Sequence, residues 1–210
     1  MTEAEPGEPR IPGGPVARML NLLLHPAETW EVLADEPATI EGLYRHWVLP
    51  LAALPAAATA VGLISFHGFV LFGTRYQPSF LSIIGGGLAE YVLILIATYL
   101  MAVIVDVASP RFGGDRGLTQ AFKLVAYSGT SAWVFGLFAL LPMAGELIAF
   151  LGCLYSLYLL YLGLPRVMRS NPDSTLTYFG LILAISVLMF AVINTVSHNV
   201  SDVGGPVRIY

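Results

Sequence analysis

The sequence predicts an all-α integral membrane protein, a five-helix transmembrane bundle preceded by short amphipathic surface helices. Of the 210 residues, 56% are hydrophobic and only 11% are charged, whereas soluble domains carry about 25% charged residues. Five apolar segments are each long enough to cross a hydrocarbon core of about 30 Å, which takes about 20 helical residues. The alternation of polar and apolar residues that marks a membrane β-barrel is absent, so we expect helical spans.

We place the five spans roughly at residues 48–71, 80–105, 121–141, 145–164 and 175–197. Around them, the chain divides into a disordered acidic tail (1–14), amphipathic surface helices (15–46), a membrane domain (47–198) and a short outer tail (199–210). Small residues recur at four-residue spacing, as at Ala52 and Ala56 or at Gly85 and Ala89. This spacing lets helices approach closely in lipid and predicts a compact bundle.

The basic residues are distributed unevenly between the two sides of these spans. Eight of the ten Lys and Arg residues precede the first span or lie at the second-to-third and fourth-to-fifth connections, and the other two are Arg75 and Arg208. Connections rich in Lys and Arg stay in the cytoplasm. The sequence therefore predicts a cytoplasmic N-terminus and a C-terminus outside.

Two short helices are predicted before the first span. Apolar residues fall at helical spacing in the first helix, at Val16, Met19, Leu20 and Leu23. The second helix begins near Pro26, which suits a first-turn position, and carries Trp30 and Leu33 on one side. Neither helix is long enough to span. Burial against lipid and packing against the bundle both remain open.

The connection after the second span is abruptly polar. Gly113 and Gly114 permit a tight turn, and Phe112 can anchor that turn at the membrane interface. Asp106 lies within reach of three basic side chains, those of Arg111, Arg116 and Lys123. A structural ion pair is one interpretation, and a lipid-phosphate patch built from Arg116 and Lys123 is the alternative.

Glu90 has the energetically least favourable position of any residue in the spans, because it lies about 15 Å into the second one at 1.5 Å per residue. A carboxylate at this depth must be protonated, paired or next to water. One interpretation is a structural hydrogen bond from a neutral acid, with candidate partners Ser128, Thr130, Ser131, Tyr155 and Asn194. The alternative is a proton, ion or polar-lipid pathway, which Glu146, Asn194 and His198 could extend.

Several classes of function are disfavoured. A net charge of −4 and the lack of a basic face argue against a nucleic-acid partner. The single cysteine, Cys153, excludes an intramolecular disulfide. Hydrolase, metalloprotease and phosphate-loop motifs are absent, and His and Cys do not cluster. We therefore expect no enzymatic activity, no cofactor and no metal.

Five segments resemble bacterial members of the Ypt-interacting protein (Yip) domain family, over about residues 16–195. His25–Pro37 resembles the surface-helix lead-in of the family, and Leu43–Ala56 resembles its entry into the first span. The polar connection is similar to the D-x-x-x-P-x-F-G-G turn, here Asp106, Pro110, Phe112, Gly113 and Gly114. The next helix is similar to Q-A-x-K-x-x-A-Y-x-x-T-x-x-W and includes Lys123 and Tyr127. Tyr155–Pro165 resembles the fourth-span signature and includes Tyr158, which we expect in an interfacial aromatic belt and in bundle packing.

The resemblance implies five spans with a cytoplasmic N-terminus, and a location in the bacterial cytoplasmic (inner) membrane. Eukaryotic relatives are implicated in vesicle traffic and contact prenylated small GTPases. This chain lacks their long N-terminal extension, so that partner is not carried over. The expected partner is the lipid bilayer, with an unidentified membrane or cytoplasmic protein and a homo-oligomer left open.

Two functional hypotheses follow. The first is a non-enzymatic protein that organises the membrane or recruits a partner through its cytoplasmic face. The second is a transporter, channel or lipid-moving protein that uses a polar path around Glu90.

Overall fold

The computed structural model describes residues 14–66, 69–71, 74–141, 144–203 and 208–209. The predicted disordered tail, apart from Gly14, lies outside these residues. Five helices are long and apolar enough to cross a membrane, which confirms the predicted fold class. Two short helices precede them, α1 (Pro15–Leu24) and α2 (Pro26–Asp35). The five are α3 (Ile40–Ser65), α4 (Phe80–Phe112), α5 (Leu118–Leu140), α6 (Ala144–Val167) and α7 (Pro172–Val203).

The first span differs most from its expected bounds. Helix α3 begins at Ile40, eight residues earlier than predicted, because the Thr39 side chain accepts a hydrogen bond from Gly42 N (3.1 Å) and caps the helix. A π-helical turn, Tyr44–Val48, lies just before Pro50. This wider turn accommodates a proline that cannot donate its backbone hydrogen bond. The helix ends at Ser65, so the predicted end at residue 71 is wrong.

A small antiparallel sheet follows this early end, and the sequence did not predict it. Strand β1 (Phe69–Leu71) pairs with β2 (Thr74–Gln77), with Phe69 opposite Tyr76. Strand β3 (Arg208–Ile209), from the predicted outer tail, pairs with β2 through Tyr76 and Ile209. The sheet therefore joins the connection between α3 and α4 to the chain beyond α7.

Burial is concentrated at one end of the bundle. We call the end that carries the α4–α5 and α6–α7 connections the basic end, after Arg111, Arg116, Arg166 and Arg169. The main cluster of buried apolar residues lies towards this end and includes Val105, Phe122 and Leu164. Far from it, α7 has no buried residue after Ile182 as far as Val203. Spans exposed to lipid over much of their length are consistent with a membrane protein.

Candidate functional site

Helices α1 and α2 are docked on the basic end of the bundle, and we call residues 15–36 the cap. Leu22, Trp30 and Leu33 are fully buried, and helix α2 packs against α6. Gly163 of α6 makes room for this contact, because a Cβ there would lie 2.8 Å from the Trp30 ring. Of the two alternatives left open by the sequence, packing against the bundle is therefore found for α2.

Lys123 ties the cap to α5. Its side chain is 2% exposed. Its Nζ donates to the carbonyl oxygens of Glu36 (2.6 Å), Leu33 (2.7 Å) and Ala34 (3.4 Å). These carbonyls belong to the C-terminal end of α2, where helix carbonyls lack intrahelical partners and the helix dipole favours a cation.

This position excludes the two roles predicted for Lys123, as an ion-pair partner of Asp106 and as part of a phosphate patch. The ammonium group has three protons, and all of them are directed at the carbonyls of α2. Lys123 therefore neither pairs with Asp106 nor joins Arg116 in a phosphate patch. Lys123 bonds to these carbonyls because a buried ammonium group needs all its donors satisfied.

Tyr127 lies one helical turn from Lys123 and contacts the other helix of the cap. Arg18 of α1 donates to Tyr127 Oη (2.8 Å) and to Glu36 Oε1 (2.8 Å). Burial opposes the charge of Arg18, but the hydrogen bonds to Glu36 and Tyr127 outweigh it and raise the arginine pKa. The Tyr127 ring also packs between Trp30 (6.4 Å between centroids) and Trp47 (4.8 Å). Tyr127 thus joins α1, α2 and α3.

A cleft of about 540 Å³ opens beside these contacts, between the cap and the start of α3. Arg18, Glu36 and His46 supply its charged and polar groups, and Trp47 and Tyr127 supply aromatic surface. A cleft with this lining offers apolar contact and hydrogen bonds to the same occupant.

The connection after α4 is held by its glycines and by Phe112. Gly113 has φ +72°, a left-handed conformation that favours glycine. A Cβ on Gly114 would collide with the side chain of Ser109 and the carbonyl oxygen of Met168. The Phe112 ring stacks on Tyr178 with centroids 4.6 Å apart. These residues fasten the end of α4 to the α6–α7 connection and to α7.

Asp106 forms the ion pair that the sequence predicted as one alternative. Its Oδ2 lies 3.2 Å from Arg116 Nη2, and its Oδ1 accepts from Gly117 N at 2.7 Å. The carboxylate thereby closes the loop back onto α4 just before α5 begins at Leu118.

The tyrosines of α6 have different surroundings. Tyr155 donates to Leu23 O of the cap (2.7 Å). Tyr158 is 48% exposed and packs beside Tyr155 at 5.5 Å. Tyr158 therefore presents a ring at the bundle surface, and Tyr155 holds α1.

Glu90 lies half-buried in α4, and none of its five expected partners binds it. Ser131 donates to Gly152 O, Tyr155 to Leu23 O and Asn194 to Phe190 O, while Thr130 accepts from Trp47. The Ser128 hydroxyl is buried without a partner among the described residues. The structural hydrogen bond expected of Glu90 is thus not found in this part of the chain.

Two other titratable groups act electrostatically on Glu90. They are Glu146 of α6 and His198 of α7, the residues predicted to extend a polar path. Within the described ranges, no three His, Cys, Asp or Glu side chains are grouped so that they could hold a metal ion. The chemistry available at Glu90 is therefore that of one acid near a second acid and a histidine.

Two contact residues at the basic end were not anticipated. Tyr178 is fully buried and donates to the carbonyl of Val105. Arg18, one of the basic residues that predicted a cytoplasmic N-terminus, binds Tyr127 and Glu36. Its place among apolar residues of α1 was a weak signal, because hydropathy does not indicate which partner an arginine meets.

Comparison with known proteins agrees with this architecture. The inner membrane protein YohC of Escherichia coli K12 is 26% identical over 180 residues, which cover 85% of this chain and 92% of YohC. YohC of E. coli O6:H1 matches over the same shares with the same identity. No solved structure matches the chain. The model of the Yip1 domain matches residues 20–193, more than half of the sequence. The chain therefore belongs to the Yip1 domain family.

Proposed function

We propose that this protein is a non-enzymatic component of a bacterial inner membrane, which organises the membrane or recruits a partner through its cap. The inner-membrane location is supported by the name of its relative YohC. The basic end faces the cytoplasm in this proposal, because connections rich in arginine are retained there. The cap then lies at the cytoplasmic surface, and the C-terminus lies outside.

The observation that carries this proposal is an apolar stripe on a firmly docked helix. Val16, Leu20 and Leu24 follow each other at four-residue spacing on α1 and are 65%, 48% and 69% exposed. Four-residue spacing puts them on one face of the helix. An apolar face this exposed is stabilised by lipid or by an apolar partner. We place it against the acyl chains at the cytoplasmic boundary, as in other interfacial helices.

The attachment of the cap explains why such a stripe could act as a rigid organising surface. Helix α1 is held by Arg18 to Tyr127 and Glu36, and by Leu23 O to Tyr155. A stripe fixed to five spans keeps its orientation relative to the bilayer. The cleft beside it, lined by Trp47 and Tyr127, is then the place where a partner protein would be held.

The test is crosslinking in intact membranes followed by purification of the full-length protein. We expect the wild type to recover a partner and to change vesicle shape on reconstitution. The triple variant Val16→Ser, Leu20→Ser, Leu24→Ser, which removes the apolar contact with the acyl chains, should lose the change in vesicle shape while remaining inserted. Glu90→Gln serves as the matched control and should retain the partner. Recovery of no partner under several crosslinking conditions, together with unchanged vesicle shape on reconstitution, would contradict the proposal.

A second candidate function is favoured by Glu90. Its carboxyl group lies half-buried without a hydrogen bond in the described residues, and Glu146 and His198 act on it electrostatically. An intramembrane acid in these surroundings is typical of a proton or ion path. Reconstituted vesicles should then show a pH-dependent flux or lipid movement that Glu90→Gln abolishes. Identical behaviour of wild type and variant would remove this candidate.

A further inference from the structure

A second recess lies at the basic end, separate from the cleft beside the cap. It has a volume of about 210 Å³ and lies where the end of α2 meets the α4–α5 connection and the end of α6. Three arginines meet there: Arg116 and Arg169 from two different connections, and Arg166 from the end of α6. Gln120 of α5 and two aspartates, Asp35 and Asp115, complete its polar lining.

We propose that this recess binds a phosphodiester that carries hydroxyl groups, through Arg116, Arg166 and Arg169. Guanidinium groups match the geometry of phosphate oxygens and bind them in a bidentate manner. The lining carries three arginines and two aspartates, and two further carboxylates, those of Asp106 and Glu31, lie against Arg116 and Arg166.

The ion pairs of Arg166 and Arg169 can be exchanged for a ligand, whereas Arg116 stays paired with Asp106 through Nη2 and offers its other N–H groups. Arg166 lies 3.8 Å from Glu31, and Arg169 lies 3.6 Å from Asp115. The Arg169 and Asp115 side chains are 73% and 70% exposed. Exposed ion pairs of this kind contribute about 0–1 kcal/mol. A phosphate that engages several guanidinium groups at once therefore competes well with them.

Gln120 gives a separate indication of a ligand with hydroxyl groups. Its Nε2 donates to Ala34 O at 3.3 Å, but its Oε1 is buried and has no partner within the described residues. A buried acceptor without a donor is costly. A ligand hydroxyl in the recess would donate to Gln120 Oε1, and Asp35 can accept another.

The recess is also held in shape without a ligand. Asp115 N donates to Met168 O (2.9 Å), and Asn171 N donates to Phe112 O (3.0 Å), so the two connections are joined by their backbones. The end of α2 is fixed at the same place by Lys123. Since these contacts position the arginines in advance, little ordering is required when the phosphate binds.

The test measures binding by the full-length protein in nanodiscs. Discs of phosphatidylcholine alone are compared with discs that contain phosphatidylglycerol, and bound lipid is read by native mass spectrometry. Glycerophosphoglycerol and inorganic phosphate are titrated separately into the phosphatidylcholine discs. Retention of phosphatidylglycerol assigns the lipid headgroup as ligand, and binding of glycerophosphoglycerol assigns a soluble one. Either result supports the proposal, and binding of inorganic phosphate alone contradicts its hydroxyl component.

Four variants test whether the binding occurs at the recess. Arg116→Gln and Arg169→Gln should each weaken binding about tenfold or more, because a hydrogen bond to a charged group is lost. Arg111→Gln is the matched control, since Arg111 is exposed at the end of α4, next to the same connection, but does not line the recess. Asp115→Asn should strengthen binding several-fold by removing a competing carboxylate, a gain that misfolding cannot produce. Absence of binding to every probe, or equal losses in Arg111→Gln and Arg169→Gln, would overturn the proposal.

Discussion

The two ends of the bundle satisfy their polar groups in different ways. At the basic end, Lys123 and Tyr127 are buried and bonded to residues of the cap, and Asp106 is paired with Arg116. Towards the opposite end, Glu90 has no hydrogen bond in the described residues. Buried polar groups with complete partners stabilise one arrangement of helices, whereas an incompletely satisfied acid is expected to matter for function. We therefore expect the buried groups of the basic end to stabilise the fold, and we expect Glu90 to contribute less to stability.

The largest expected effect is that of Gly114→Val, at the basic end. The added side chain collides with Ser109 and with the carbonyl of Met168, so the two connections must separate. We expect a loss of several kcal/mol in the free energy of unfolding, or failure to fold. Thermal unfolding in detergent measures this loss. Gly117→Ala is the control, because a Cβ there has its nearest contact at 3.7 Å and should be tolerated.

Lys123→Met should be the next most damaging change. It keeps a long apolar stem but leaves the carbonyls of Leu33, Ala34 and Glu36 without their donor. Unsatisfied buried groups cost about 1–3 kcal/mol each, so the cap should detach before the spans unfold. Hydrogen exchange of residues 15–36 measures this detachment, with Arg45→Met as an exposed control. Unchanged protection of the cap would show that Trp30 and Leu33 suffice to hold it.

Arg18→Gln should have a smaller effect on the cap. Its ion pair with Glu36 is partly exposed, at 26% and 34%, and such pairs contribute about 0–1 kcal/mol. The raised pKa means that the contribution of Arg18 is fully present below the pKa of an unfolded arginine and is lost only as pH rises through the higher folded value. Stability measured from about pH 7 to about pH 10 should therefore show the same difference between wild type and variant. A difference that disappears within this range would contradict the assignment.

The smallest effect on stability is expected for Glu90→Gln. The change is nearly isosteric and breaks no hydrogen bond in the described part of the chain, so the free energy of unfolding should change by about 0.5 kcal/mol or less. Thermal unfolding beside Lys123→Met provides the comparison. A loss as large as that of Lys123→Met would assign Glu90 a structural role and remove the contrast between the two ends.

The sequence predicted the architecture well and the candidate site only in part. Span number followed from long apolar segments, and the turn at Gly113 and Gly114 followed from backbone freedom. The roles of Lys123 and Tyr178 were missed, because both bond to backbone carbonyls, which every residue possesses. A side chain that bonds to a backbone carbonyl requires no particular residue type at the other position, so the sequence does not indicate its partner.

Apolar length and the positions of the arginines, both readable along the chain, determined that five helices form and where the basic connections lie. Only the tertiary structure decided that Lys123 would meet Leu33, 90 residues away, and that Arg116, Arg166 and Arg169 would share one recess. The physical reason is that partitioning into lipid depends on the composition of each segment by itself. Contacts between distant segments depend instead on how the helices pack, and small residues such as Gly163 and Gly114 permit these particular approaches.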